Sequence, residues 1–249
     1  MEIHQLGIVD WRRCEELQRR VAYDAANRID GKATVLLAEH PDVITVGQSG
    51  SRGDIRASQE LLDRQNVQVH WVKRDGGTIY HAPGQLAIYP ILSLEDKDWT
   101  SREYTQRLLS AIESTLKSLG VNTRTVMMHG DSFAVWGRKG PLAVAGVQVN
   151  EGVVQQGAFI NVSPAFPTLK RIRGVPIPTG DNENQCSYNE KQCMTSLVAE
   201  LGRPAKMNRV RSFLLPALAH ALDHPEFHPT FGHPWLDASE QRRARLYVS

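Results

Sequence analysis

Apolar residues from Asp10 to about Ile29 recur at helical spacing (Trp11, Leu17, Val21, Ala25) with charges between them, which predicts an amphipathic helix lying on a sheet. The period then changes. Thr34 to Glu39 and Val43 to Val46 are β-rich runs broken by His40-Pro41-Asp42, read as a hairpin, and Gly47 ends the second run. Residues 48 to 57 read as a Gly/Ser/Arg loop, Val67 to Lys73 alternates as a strand, and Leu86 to Leu92 forms another. Ser101 to Leu119 carries the strongest helical periodicity of the chain (Tyr104, Leu108, Leu109, Ile112, Leu116, Leu119), with Gly120 as its C-cap. Three strands follow, Ser132 to Trp136, Leu142 to Val149 and Val153 to Val162, separated by glycine-containing turns.

Beyond them the pattern loosens. Pro/Gly-rich residues 163 to 185 make a connection long enough to suggest a functional loop or lid. A helix starts near Thr195, with that residue or a neighbour as N-cap, and reaches Leu201. Another spans about Val210 to Leu222, before a His/Pro-rich segment and the polar stretch Asp237 to Arg245. Strands outnumber helices and are joined by hairpin-length turns, so the expected class is α+β: a mostly antiparallel or mixed sheet covered by helices. One main domain is expected over residues 1–205, with residues 206–249 as a helical and irregular extension packing on it.

Composition narrows the function classes. With 29 Lys and Arg against 27 Asp and Glu, the net charge of +2 argues against bulk nucleic-acid binding but leaves room for a local basic patch, Lys170, Arg171 and Arg173, facing an acidic partner. Three cysteines (Cys14, Cys186, Cys193) cannot all pair, so a reducing cytoplasm is expected. No apolar run is long enough to cross a bilayer, and the first residues lack a signal-peptide pattern.

The chemistry-bearing stretch is Arg74 to Leu92. Arg74, Tyr80 and His81 lie on an otherwise apolar strand and turn, Gly76 and Gly77 permit close backbone approach to a ligand, and Pro83-Gly84 turns the chain. A hairpin with polar decorations accounts equally well for these residues alone. Among possible nucleophiles, Cys186 sits in a polar loop and Cys193 precedes a helix start, either of which can favour a thiolate. No Gly-x-Ser-x-Gly elbow, P-loop or dinucleotide fingerprint is present. His220, His224, His228 and His233 lack metal-ligand spacing, so neither a metal nor a cofactor is expected.

Four ordered segments resemble the lipoyl(octanoyl) transferases, the lipoate-protein ligase B family of the biotin/lipoate protein ligase superfamily. Leu36 to Gly47 is similar to the family's early strand pair, and Arg74 to Gln85 to its Arg-Gly-Gly-x-x-Thr-Tyr-His-x-Pro-Gly-Gln signature. Residues 143–149 with Gly157 to Val162 resemble later strands, and Thr195 to Gly202 the helix after the catalytic cysteine. The resemblance covers roughly residues 30–205. It implies transfer of an octanoyl group from octanoyl-acyl carrier protein, through a cysteine thioester, to a lysine of lipoyl domains of 2-oxoacid dehydrogenase complexes and of the glycine cleavage H protein. It also implies a monomer without cofactor.

Carried over by position, the resemblance gives Arg74, Asp75, Gly76, Gly77, Thr78, Ile79, Tyr80 and His81 as one wall of the acyl and thioester pocket. Val144, Ala145, Gly146, Gly157, Ala158 and Phe159 form the others. Asp75, Ile79 and Gln156 depart from the family pattern, and Pro178-Thr179-Gly180 meets its Pro-Cys-Gly triplet. Counting back from Thr195 instead places Cys186 at the nucleophile, which is preferred because thioester exchange needs a thiol. Pro141 stands at the family lysine, and Lys139, two residues earlier, is the candidate that lowers the thiol pKa. An ATP-dependent lipoate ligase and a catalytically degenerate binder are the alternatives.

Overall fold

The computed structural model describes residues 1–27, 31–128, 133–173, 177–178, 186–187 and 193–248. In chain order the elements are β1 (Glu2–Ile8), α1 (Trp11–Ala26), β2 (Thr34–Glu39), β3 (Val43–Val46), α2 (Gln59–Arg64), β4 (Gln68–Trp71), β5 (Thr78–His81), β6 (Gln85–Ile91) and α3 (Ser101–Ser118). They continue as β7 (Arg124–Met127), β8 (Phe133–Trp136), β9 (Pro141–Asn150), β10 (Val153–Asn161), α4 (Phe166–Leu169), β11 (Ile177–Pro178), β12 (Cys186–Ser187), α5 (Leu197–Leu201), α6 (Met207–Ala221), β13 (His228–Phe231) and α7 (Ala238–Val248).

A mixed sheet of order β13-β1-β2-β6-β10-β9-β8-β7 forms the centre, so the expected α+β class holds. Alternation divides its side chains between two layers. On one face Val35, Leu37, Ile88, Ala145 and Ala158 pack with Leu108, Ile112 and Leu116 of α3 and with Val210, Leu214 and Leu218 of α6. On the other, Leu36, Tyr89, Val144 and Phe159 pack with Leu17 and Val21 of α1.

The helix predicted most strongly forms as expected: Thr100 and Glu103 make a reciprocal capping box, and Gly120 takes φ +92 just past the end. The N-cap of α5 is Ser196, whose side chain accepts from the Ala199 amide. The expected β2–β3 hairpin does not form. β2 pairs with β1 and β6, whereas β3 pairs with β4 and β5 in a separate three-stranded sheet. The buried His40 lies at that crossing, bonded to the Val9 carbonyl and the Tyr89 hydroxyl, so His40-Pro41-Asp42 carries the chain between sheets instead of turning it back.

Residues beyond 205 are integral to the layers. α6 packs on α3, β13 extends the sheet beside β1 in parallel, and α7 lies against β1. Among the described residues, no helix is long and apolar enough to cross a membrane.

Candidate active site

The Arg74–Gln85 segment is positioned by close backbone packing. Its first part, Arg74 to Gly77, is a loop laid across β9 and the end of β3: the Asp75 amide donates to the Val147 carbonyl at 2.9 Å, and the Gln48 amide donates to the Arg74 carbonyl at 3.0 Å. Two glycines outside the segment make this possible. A Cβ on Gly146 would stand 2.2 Å from the Asp75 carbonyl oxygen, and one on Gly47 would stand 2.5 Å from that of Gly76. Gly76 itself needs positive φ, at +86. A Cβ on Gly77 would meet nothing within 4 Å, so open space lies beside it.

Arg74 is buried, and its guanidinium is spent inside the protein. Nη1 donates to the Asp75 carbonyl at 2.9 Å, while Nη2 donates to the Gly77 carbonyl at 2.9 Å and to Thr45 Oγ1 at 3.0 Å. It frames the loop from within and is not a ligand-facing cation. Thr78 donates to Asp54 Oδ2, and Ile79 packs with Val144 and Phe159.

Tyr80 and His81, expected to face substrate, are buried at 2% and 0% exposure. Tyr80 donates to Asp42 Oδ1 at 2.9 Å and accepts from Arg171 Nη1 at 2.6 Å. Its phenol is pushed above its ordinary range, first by burial and then by the Asp42 charge. His81 sits between Thr45 Oγ1, 2.9 Å from Nε2, and Gln85 Oε1, 2.8 Å from Nδ1, with its ring edge-on to Phe159 at 4.6 Å. Burial, with His40 and Arg74 nearby, holds the imidazole well below its ordinary pKa. Both ring nitrogens are occupied.

The remaining expected wall residues divide by strand alternation. Val144 and Phe159 share the α1-side layer with Ile79, and Gly146 receives the Arg74–Gly77 loop. Ala145 and Ala158 point the other way, into the layer under α3. Gly157 serves strand packing: a Cβ there would meet the Ile88 carbonyl oxygen at 2.1 Å. Gln156, at the position where a histidine resembles the family better, takes φ +61 within β10 and is 3% exposed, its backbone amide donating to Gln18 Oε1.

Of the proposed nucleophiles, Cys186 is described by its backbone alone, which pairs with Pro178 in the β11–β12 ribbon. Thr179, Gly180 and residues 181–185 lie outside the described residues. Cys193 is half-buried, and its carbonyl oxygen lies 3.1 Å from where a Cβ on Gly140 would be. The Thr195 amide donates to the Pro141 carbonyl at 2.9 Å, so residues 193–195 run along the start of β9. Lys139 occupies the exposed β8–β9 turn, where Nζ donates to the Ala199 carbonyl at 2.5 Å and its backbone amide donates to Glu200. Cys14 lies on the buried face of α1, and burial pushes its thiol up to about 12, which removes it as a nucleophile at neutral pH.

In the basic cluster, Arg171 is engaged by Tyr80, and its carbonyl accepts from the Arg56 amide at 2.7 Å. Lys170 and Arg173 have exposed side chains. Among the described residues, no group of three or more His, Cys, Asp or Glu side chains is placed to hold a metal ion.

The fold brings together three side chains, Thr45, Gln85 and Asn161, with the Thr195 carbonyl, and the sequence gives none of the four a place in the site. Gln85 donates to Asn161 Oδ1 at 2.9 Å, and Asn161 Nδ2 donates to the Thr195 carbonyl at 3.1 Å. The available signal was a polar residue at a strand position whose neighbours are all apolar, as in Val43-Ile-Thr-Val46 and Phe159-Ile-Asn161.

The fold is the one seen in lipoate protein ligases. An archaeal bipartite lipoate protein ligase from Thermoplasma acidophilum superposes over 99% of this chain and 91% of its own, with TM-score 0.67 at 14% identity. A lipoate-protein ligase A bound with ATP superposes over 100% and 94%, also at TM-score 0.67 and 14% identity. Residues 15–219 match the lipoyl protein ligase A/B catalytic domain, and the chain belongs to that family. An octanoyltransferase of Syntrophobacter fumaroxidans is 36% identical over 63% of this chain and 67% of its own length. One of Chloroflexus aggregans is 29% identical over 90% and 95%.

Proposed function

We propose that this protein is an octanoyltransferase: it takes an octanoyl group from the thioester of octanoyl-acyl carrier protein and delivers it to the ε-amine of a lysine on lipoyl domains. The observation that carries this reading is the run of curated relatives named octanoyltransferase, among them those 36%, 35% and 29% identical to this chain. Supporting it, open space lies beside Gly77 in a loop that leads into β5, whose Ile79 shares an apolar layer with Val144 and Phe159.

The chemistry follows from bond energies. A cysteine thiolate adds to the donor's thioester carbonyl and the carrier thiolate leaves, so one thioester is exchanged for another and no ATP is required. The acceptor amine then attacks the enzyme thioester. The cysteine leaves as thiolate, the amine loses its proton, and a more stable amide remains.

Cys186 is assigned as the nucleophile and Lys139 as the cation that raises its thiolate fraction. That role requires the Lys139 ammonium to exchange the Ala199 carbonyl for the thiolate, since it rests on the former at 2.5 Å. Acceptors are lipoyl domains of 2-oxoacid dehydrogenase complexes and of the glycine cleavage H protein, and the site of action is the cytoplasm. The exposed Lys170 and Arg173 suit the acidic faces of such partners.

Intact mass after incubation with octanoyl-acyl carrier protein tests the assignment. An octanoyl adduct formed without ATP, absent from Cys186→Ala and kept in Cys193→Ala, is expected. The reverse pattern transfers the role to Cys193, and no adduct in wild type leaves an acyl-binding protein without transferase activity. Lys139→Met is expected to slow adduct formation about tenfold or more at neutral pH, with recovery as pH rises toward the thiol's ordinary pKa. An unchanged rate removes Lys139 from the mechanism.

A further inference from the structure

A single line of buried hydrogen bonds runs from the Arg74 loop to the end of the segment that carries Cys186 and Cys193. Arg74 Nη2 donates to Thr45 Oγ1 at 3.0 Å, and Thr45 Oγ1 lies 2.9 Å from His81 Nε2. His81 Nδ1 lies 2.8 Å from Gln85 Oε1, Gln85 Nε2 donates to Asn161 Oδ1 at 2.9 Å, and Asn161 Nδ2 donates to the Thr195 carbonyl at 3.1 Å. Every side chain in it is buried, with exposures of 0–3%.

The Thr195 end dictates the proton positions as far as His81 Nδ1. A carbonyl oxygen accepts only, so the Thr195 carbonyl requires the Asn161 amide nitrogen and turns Oδ1 toward Gln85. Gln85 must then present its own nitrogen, which also donates to the Tyr80 carbonyl at 3.1 Å, and its oxygen faces His81. An amide oxygen accepts only, so His81 carries its proton on Nδ1. At the other end, Arg74 always donates. Burial, with His40 and the Arg74 charge nearby, keeps the imidazole neutral, so with its proton on Nδ1 the bare Nε2 accepts the hydrogen of Thr45 Oγ1, which itself accepts from Arg74. All five bonds then point the same way.

We infer that Asn161, backed by Gln85 and the Nδ1–H tautomer of His81, is a positioning residue for acyl transfer: it fixes the backbone at Thr195, two residues after Cys193 and nine after Cys186 in sequence. Thr195 is held from both sides, its amide on the Pro141 carbonyl and its carbonyl on Asn161. Cys193 lies two residues before it, and Ser196, the N-cap of α5, one after. The relay ties this clamp to the Arg74–Gly77 loop, so the two walls between which the acyl group would lie share one register. The inference rests on the octanoyltransferase reading for its consequence, and on the hydrogen bonds alone for its geometry.

Three measurements on the full chain test it. Nitrogen-15 NMR of the His81 ring in wild type is expected to show Nδ1 protonated and Nε2 bare from pH 8 to 5.5; an Nε2–H tautomer or an imidazolium at pH 7 overturns the relay. In Asn161→Leu, amides of residues 193–198 are expected to exchange with deuterium at least tenfold faster while those of β6 keep their protection; unchanged exchange overturns the clamp. With octanoyl-acyl carrier protein and a lipoyl domain, the same variant is expected to lose about 10–100-fold in kcat, as losing an orienting partner does elsewhere, with KM within a factor of two. A kcat within threefold of wild type overturns the positioning role. Wild type that transfers no octanoyl group defeats the functional reading instead, and leaves the relay to be judged on the tautomer and exchange results. Should Asn161→Leu not fold, Asn161→Ser is measured in its place, with the same outcomes.

Discussion

His40 shows how a buried ring can set acid stability without touching substrate. Its Nδ1 lies 2.8 Å from the Val9 carbonyl, which only accepts, so the proton is on Nδ1, and Tyr89 donates its hydroxyl to Nε2 at 2.7 Å. Burial lowers its pKa from 6.5 to about 4. Between those values the unfolded chain binds a proton that the folded protein refuses. Stability from this group is therefore full above pH 6.5 and is lost as pH falls toward 4, by on the order of 3 kcal/mol. His233, lowered to about 4 by burial and by His4, adds in the same direction. Urea unfolding at pH 7 and pH 5 is expected to show a lower midpoint at pH 5, with a smaller difference in His40→Gln. Equal midpoints in wild type would falsify the neutral-His40 assignment.

At the scale of elements, the Pro83-Gly84 turn is held by a buried ion pair from distant parts of the chain. Glu39 Oε2 accepts from the Gly84 amide at 2.8 Å, while Oε1 faces Arg211 Nη2 at 3.3 Å, with side-chain exposures of 2% and 4%. Gly84 is needed there, since it takes φ +89 and a Cβ would lie 2.6 Å from Ser163. α6, β2 and the turn that presents Gln85 to the relay are thus locked together. Arg211→Met removes the buried cation facing the Glu39 carboxylate and is expected to cost about 3–5 kcal/mol, measured by chemical denaturation. A loss below 1 kcal/mol would show that water reaches Glu39. The helical elements were legible in sequence because 3.6-residue periodicity and capping residues are local; α3 with Thr100, Glu103 and Gly120 is the clearest case. α2, however, falls between the loop over residues 48 to 57 and the strand from Val67, where the sequence predicts no element, because six residues with one buried leucine leave too little periodicity to see.

Over the whole molecule, the chain's two ends close one edge of the sheet. β13 pairs with β1, the Met1 amine donates to the Glu226 carbonyl at 2.9 Å, and Arg13 on α1 reaches the Trp235 carbonyl at 2.9 Å. The guanidinium of Arg20 lies 4.6 Å from the Trp235 ring centre, on the same seam. Deleting residues 223–249 strips β13 from β1 and uncovers an all but fully buried strand. The truncated chain is expected to elute from size exclusion as aggregate at concentrations where wild type gives a single sharp peak. A sharp peak of truncated chain at its own mass would show that β1 needs no partner. The domain boundary expected at residue 205 falls inside both the family match, which runs to residue 219, and the buried layer, which continues through Val210, Leu214 and Leu218.

Sequence by itself determined the α+β class, most element types and the family-bearing Arg74–Gln85 signature, because hydrophobic period, capping and glycine placement act over a few residues. It missed β1, β7 and β13, whose short or polar runs become strands only when a neighbour supplies hydrogen bonds. Only the tertiary structure decided that His40-Pro41-Asp42 joins two sheets and that Ala145 and Ala158 turn away from Val144 and Phe159. Tertiary structure also decided that Arg74, Tyr80 and His81 are spent on internal partners. The direction of a polar side chain depends on which donor or acceptor lies opposite it: Thr45, Gln85, Asn161 and Thr195 are separated by tens of residues and meet only once β3, β6 and β10 are in register.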